Sequence, residues 1–297
     1  MIPGMAADTL AYLNGAYLPV GEAKISVLDR GFIFGDGIYE VVPAYRGRPF
    51  RMDEHLARLA RSLAAIRLEL PMGMEGVREI VHTLIARQPA ENCIVYLQVT
   101  RGVARRDHPF PVPAPAPTVF AMATPFKRPD AATRERGLAV VSITDERWLH
   151  CDIKSISLLG NVLAKQAAVD AGVDEVLQYR DGLLTEASSC NAWVVRDGTL
   201  LAPPLGPRLL EGIRYGLMVE LAQEAGIAFE ARDLTRAEVE AADELLLTSA
   251  SKEVLPVLQR DGVAVGAGTP GPVFRRLAQA YDARIEALMA QAPVQAD

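Results

Sequence analysis

The chain has 297 residues, 50% of them hydrophobic, with 31 basic against 37 acidic side chains and a formal net charge of -6. That length exceeds what one hydrophobic core usually supports, so two domains are the default. The acidic excess repels nucleic acid and anionic membrane surfaces, and no apolar run approaches the roughly 20 residues of a membrane helix.

Three cysteines, Cys93, Cys151 and Cys190, are odd in number and widely spaced. They read as reduced thiols of a cytoplasmic protein rather than a disulfide frame or a zinc site. The first residues, MIPGMAADTLAYLNG, lack both the basic and the long apolar region of a secretory signal.

LAYLNGAYL, with Asn-Gly between two apolar runs, predicts a hairpin. GIYEVVPAYRGRPF repeats the pattern around Arg46-Gly47. Asp53 is placed to cap a helix carrying Leu56, Leu59, Leu63 and Ile66 at helical spacing. A second helix over Gly76 to Arg87 and strands at Cys93–Thr100 and Thr118–Ala123 follow. Between those strands, RGVARRDHPFPVPAPAP places proline at every other position from Pro109, which favours an extended loop.

The polar, aperiodic stretch 128–137 reads as an interdomain linker, separating a small N-terminal domain (1–127) from a larger C-terminal one (138–297). The second domain alternates. A strand at Leu138–Ile143, a helix at Asn161–Ala171 and strands around Asp181-Gly182 and Asp197-Gly198 are expected. A helix from near Leu210 to before Gly226, a strand at Glu244–Thr248 and a helix over Pro272–Met289 complete it. Mixed helices and strands in both halves predict a two-domain α/β (α+β) fold.

Lys154 is a single lysine in an apolar stretch with Trp148, Leu149, Ile153, Ile156, Leu158 and Leu159. Apolar surroundings disfavour a charged amine and free it to form an imine with a carbonyl compound; the alternative is a lysine snorkelling to water. Lys165, on the following helix, reads as solvated.

Other patterns fall away. FGDGIYE lacks the third glycine of a dinucleotide loop, and HExxH and CxxC are absent, so no metal site is expected. Asp53-Glu54-His55 reads as acids at a helix start. Ser249-Ala250-Ser251-Lys252 fits the S-x-x-K of acyl-enzymes, but the Lys-Thr-Gly strand such enzymes need is missing.

FGDGIYEVV, HLARL, VTRG with Arg106-x-His108, WLHCDIKSISLLGNVLAKQ, LTEASSCN, LLEGIR and LLTSAS occur in this order. In that order the chain resembles fold-type IV pyridoxal-phosphate enzymes, and among them the bacterial D-amino-acid aminotransferases, over nearly its whole length. The resemblance implies an active site between two domains and pyridoxal 5'-phosphate held as an imine on Lys154. That lysine would also carry the proton at the substrate α-carbon.

Glu186 would face the pyridine nitrogen and keep it protonated. Arg58 would bind the phosphate, with backbone amides near Ile213 and Arg214 and at Ser249 and Ala250. Ser189 would join the cofactor contacts and Leu210 would pack against the ring. Tyr39, Arg106 and His108 would hold the substrate α-carboxylate, the last two on a loop that enters a neighbouring subunit, which implies a homodimer.

Three positions depart from the family pattern: Arg214 where threonine is usual, Ala250 where a hydroxyl residue is usual, and Cys190 where serine is common. Arg214 then either turns its guanidinium toward the phosphate or covers the helix surface. The implied reaction moves the amino group of a D-amino acid such as D-alanine to 2-oxoglutarate. Branched-chain L-amino-acid aminotransferase, (R)-amine transaminase and aminodeoxychorismate lyase activities are the alternatives on the same scaffold. A non-enzymatic scaffold binding partners through its proline-rich loop is the reading from another class.

Overall fold

A computed structural model of the chain describes residue 6 and residues 8–294; residues 1–5 and 7, part of the N-terminal segment read above, lie outside the described residues. Two compact units emerge. The first takes the chain up to Lys127, the segment Ile153–Leu158 and the chain from Ala287 onward; the second takes Arg128–Asp152 and Leu159–Glu286.

In the first unit the elements are β1 (Leu10–Leu13), β2 (Ala16–Pro19), α1 (Arg30–Phe34), β3 (Gly37–Tyr45), β4 (Arg48–Pro49), α2 (Met52–Ala65), α3 (Gly73–Ala86), β5 (Asn92–Thr100) and β6 (Thr118–Pro125). The strands form one antiparallel sheet in the order β2-β1-β6-β5-β3-β4. β5 buries Cys93, Val95, Leu97 and Val99 and leaves the alternate residues half-buried, the period of a sheet with one covered face. Leu56, Leu59 and Leu63 of α2 and Val77, Ile80, Val81 and Leu84 of α3 supply that cover.

Asp53 does not cap α2. Arg51 takes the cap position in the left-handed region, and Asp53 in the first turn pairs with Arg78 at 2.7 Å.

The second unit holds α4 (Ala131–Arg136), β7 (Leu138–Thr144), α5 (Leu159–Asp170), β8 (Glu175–Arg180), β9 (Leu183–Leu184), β10 (Asn191–Arg196), β11 (Thr199–Ala202), α6 (Ile213–Glu224), β12 (Phe229–Ala231), α7 (Arg236–Glu240), β13 (Glu244–Ser249), β14 (Glu253–Arg260), β15 (Val263–Ala264) and α8 (Pro272–Met289). Its sheet runs β12-β11-β10-β13-β14-β7-β8-β9, with β15 on β14. The stretch read as a linker contains α4, which Asp130 caps by accepting from the Thr133 amide at 2.9 Å. Lys154, expected in the C-terminal domain, lies instead in a segment that packs with the first unit.

Trp193 is fully buried on β10. Its Nε1 donates to Thr248 Oγ1 at 2.9 Å, and its ring lies 4.8 Å from that of Tyr215. Trp193→Ala should therefore cost about 3–5 kcal/mol by leaving a cavity. The shift in urea midpoint measures it, and a loss below about 1 kcal/mol would mean that the site collapses around the gap.

Candidate active site

In the first unit, residues 154–156 run along the start of β3. Tyr39 donates its amide to the Lys154 carbonyl at 2.9 Å, Ile156 donates to the Gly37 carbonyl at 3.1 Å, and Ile38 and Ser155 form a bridge. Gly37, the second glycine of GDGIYE, is hemmed in mainly by β5. A Cβ on Gly37 would stand 2.6 Å from the Val99 carbonyl and 3.1 Å from Ile156 Cδ1. The Lys154 amide donates to Ser62 Oγ of α2 at 3.2 Å.

Lys154 is buried, with Nζ 4.0 Å from the centroid of the Tyr39 ring. Of its apolar sequence neighbours, Trp148, Leu149 and Leu159 are exposed, whereas Ile153, Ile156 and Leu158 are half-buried. The apolar run reflected the segment's local sequence, whereas the lysine's surroundings come from β3 and α2. Lys165 is half-exposed, as read.

One residue beyond Tyr39, Glu40 points to the opposite face of β3 and is fully buried. Arg58 grips it with two bonds, Nε to Oε1 at 2.7 Å and Nη2 to Oε2 at 2.8 Å. His55 Nδ1 stands 2.8 Å from the same Oε2. Burial works to raise this carboxyl, but Arg58 and His55 hold it well below the usual carboxylate range. Arg58 is thus fixed by a partner that sequence reading did not name.

Arg106 and His108 are exposed on the loop after β5. The Arg106 guanidinium lies 5.5 Å from the centroid of the Phe34 ring, and the His108 ring lies 5.5 Å from the same ring.

In the second unit, Glu186 lies in the turn between β9 and β10 and is buried. Its Oε1 accepts a short bond from Arg147 Nη1, while Oε2 receives only longer contacts, 3.3 Å from the Leu210 amide and 3.4 Å from Asn191 Nδ2. Burial pushes the carboxyl up, and Arg147 works against that rise. Arg147 is held in turn by Asp145, which also takes Arg180 at 3.1 Å and the Thr185 hydroxyl at 2.8 Å.

Asn191 ties the next segment in by donating to the Leu210 carbonyl at 2.8 Å. Leu210 is half-buried. Helix α6 then starts at Ile213 behind Gly212, which offers no side chain to cap the first amides. Arg214 is buried, so it does not cover the helix surface. Its Nε reaches the Tyr281 hydroxyl at 3.3 Å, and Nη2 contacts the Ala250 carbonyl at 3.5 Å. Ser249 Oγ accepts from the Lys252 amide at 3.1 Å, closing the turn after β13.

Ser189 is exposed and Cys190 buried beside Glu175. The Glu175 carboxylate takes the Ser188 hydroxyl and, at 3.4 Å, Lys252 Nζ. Burial opposes a charged Lys252, but Cys190 and Glu175 raise its pKa on balance. The Lys252 ammonium is engaged by Glu175 and the Ser249 hydroxyl by the Lys252 amide, so the geometry adds nothing to the S-x-x-K reading.

Sequence reasoning missed Glu40, Asp145, Arg147 and Glu175. Each partner lies 2 to 77 positions away, and no local periodicity marks such pairings. The available signal was chemical: an arginine in ERW and acids in apolar strands need partners if buried.

The Glu186–Arg147 pair yields a pH test. Without Arg147, burial lifts the folded-state pKa of Glu186 further above its unfolded value. Between those two values the folded protein keeps a proton that the unfolded chain has released, so stability falls as pH rises. Arg147→Met should cost about 3–5 kcal/mol near pH 8 and less near pH 5. Adding Glu186→Gln should remove the share of the pH dependence that Glu186 carries, leaving the share of Asp145, which loses the same partner. Equal losses at both pH values in urea titrations would show that Glu186 keeps its charge by other means.

Residues 37–259 match the family model Amino-transferase class IV. The D-alanine aminotransferase of Staphylococcus haemolyticus is 39% identical over 278 residues, covering 94% of this chain and 98% of its own. That of Bacillus licheniformis is 36% identical over 264 residues, covering 89% and 93%. Among solved structures, a T.th. branched-chain amino acid aminotransferase with pyridoxamine 5'-phosphate superposes with TM-score 0.88 at 29% identity, covering 96% of each chain. The Escherichia coli branched-chain enzyme also gives 0.88, at 25% identity over 94% of each chain. The chain belongs to the class IV aminotransferase family and is an aminotransferase.

Proposed function

We propose that the chain transfers the amino group of a D-amino acid such as D-alanine to a 2-oxo acid such as 2-oxoglutarate, using pyridoxal 5'-phosphate. The observation that carries this reading is Lys154, buried and fixed by its backbone along β3 with Nζ over the Tyr39 ring. The D-alanine aminotransferases that match almost end to end set the substrate class.

The side chains fit the cofactor. Lys154 Nζ is the amine that holds it. Glu186 Oε2, with only long contacts, has room for a ring N–H, and such a cation favours the ionised carboxylate that burial alone disfavours. Arg58 and the amides at Ile213, Arg214, Ser249 and Ala250 would serve as phosphate donors, and Leu210 and Ser189 would join the contacts to the ring. Bound pyridoxal phosphate supplies an electron-accepting ring that stabilises negative charge at the substrate α-carbon.

Lys154 Nζ would take the proton from the substrate α-carbon and deliver it to C4′ of the cofactor on the same face, because its backbone is held on both sides. Tyr39, Arg106 and His108 hold the α-carboxylate and so decide which hydrogen meets that amine.

A homodimer fits the apolar side chains Ile25, Val27, Leu28, Phe32 and Val103, which the first unit leaves exposed. A cytoplasmic setting fits three free cysteines. Among the described residues, no helix is long and apolar enough to cross a membrane. The branched-chain reading is favoured by the solved neighbours, and Arg106-x-His108 with the D-alanine relatives weighs against it.

Assays of D- and L-amino acids side by side with 2-oxoglutarate test the proposal. D-alanine should turn over well, and efficient L-leucine turnover with little for D-alanine would replace this reading with the branched-chain one. Lys154→Ala should abolish transamination while leaving the fold intact. Removing a charged partner from a partly desolvated carboxylate costs about 2–5 kcal/mol. Arg106→Ala should accordingly lower kcat/KM for D-alanine at least tenfold, as that range implies.

A further inference from the structure

The loop that carries Arg106 and His108 leaves β5 and returns at β6, and both of its ends are fastened. Asp29, fully buried, accepts from the Thr100 hydroxyl at 2.8 Å and from the Thr118 hydroxyl at 2.6 Å, joining the two strand ends. Gly102, at φ 87°, passes so close to the Ala116 carbonyl that a Cβ would stand 2.0 Å from its oxygen. The loop neck is therefore narrow and fixed.

The tip is gripped separately. Arg30, the first residue of α1, is 3% exposed. Its Nη1 donates to the Asp107 carbonyl at 2.5 Å and its Nη2 to the His108 carbonyl at 3.2 Å. Its Nε donates to Asp36 Oδ2 at 2.7 Å. Asp36 also receives Arg101 Nε at 2.8 Å, and Arg101 stacks 3.7 Å from the centroid of the Phe110 ring. One buried guanidinium thus spans the backbone between and after the two basic residues, and a second holds the aromatic residue just beyond them.

We infer that Arg30 is a positioning residue for substrate affinity: by clamping the Asp107 and His108 carbonyls it fixes where the Arg106 and His108 side chains meet the substrate carboxylate. The inference rests on the reading of those two residues as the carboxylate anchor. A planar fork is suited to the task because it can bind two carbonyls and a carboxylate at once, which a lysine ammonium on one stem does less well. Arg30 acts on the anchor and not on proton transfer, so its loss changes binding of the carboxylate and leaves the chemical step alone.

The test compares holoenzymes of wild type, Arg30→Met, Arg30→Lys and Arg106→Ala. Arg30→Met should raise KM for D-alanine at least fivefold and weaken competitive inhibition by propionate, a carboxylate without an amino group, by a similar factor. Its kcat should stay within twofold and its bound-cofactor absorption unchanged. Arg30→Lys should move the same quantities less far, and it serves where the methionine variant folds poorly. Trypsin cleavage after Arg105 should quicken at least tenfold in Arg30→Met, reporting a loosened tip independently of activity.

A lowered kcat with unchanged KM and unchanged propionate inhibition, or an unchanged tryptic rate, would overturn the role of Arg30. If Arg106→Ala changes KM and Arg30→Met does not, the clamp fails while the anchor stands. If neither changes KM, the anchor reading fails and the clamp with it.

Discussion

The pairing of residues 154–156 with the opening of β3 is the constraint on which the site depends. Backbone hydrogen bonds from Tyr39 and to Gly37 set the position of residues 154–156. The root of the lysine is therefore held by the sheet, whatever its amine is bonded to. The alternation of β3 does the rest. Tyr39 faces the lysine, and Glu40, one residue on, points to the other face to anchor Arg58.

The same device recurs elsewhere: a buried carboxylate fixing an arginine. Glu40 fixes Arg58, Glu186 pairs with Arg147, and Asp36 draws Arg30 and Arg101 together. Buried ion pairs add little net stability over apolar residues of similar size. Their value here is geometric, because a guanidinium held by two bonds has few remaining orientations. Arg147, held by Asp145, then reaches Glu186, and Arg30, held by Asp36, reaches the loop carbonyls.

Most of the fold could be read in advance because its elements carry their own periodicity. The α2 leucines, the β5 alternation and the Pro272–Met289 helix are local patterns set by burial on one side. β14 was not readable, since Pro256 argues against a central strand. The sheet tolerates it because pairing with β7 starts only at Val257, so the missing amide falls before that ladder begins. α1 has five residues, too few for a periodic signal. For the site, the order of motifs singled out individual residues such as Lys154 and Glu186, but it gave no sign of the partners they meet in the fold. Arg147, Glu40 and Arg30 meet their neighbours through folding back of distant strands and loops, which leaves no trace in spacing.

Arg214 shows why a departure from a family pattern is best judged by what the new side chain touches. Read from sequence, it removes a hydroxyl from a phosphate site that has already lost one at Ala250. In the fold it is buried at the start of α6 and reaches the Ala250 carbonyl and the Tyr281 hydroxyl. It thereby ties the first turn of α6 to the turn after β13, the two segments proposed to offer backbone amides to the phosphate. Where the hydroxyls are missing, a longer side chain instead reaches across from α6 to the Ala250 carbonyl and to Tyr281 of α8. An anion site built on amides depends less on side-chain hydroxyls and more on the spacing of its turns, so a side chain that bridges two turns bears on it more than a hydroxyl count does.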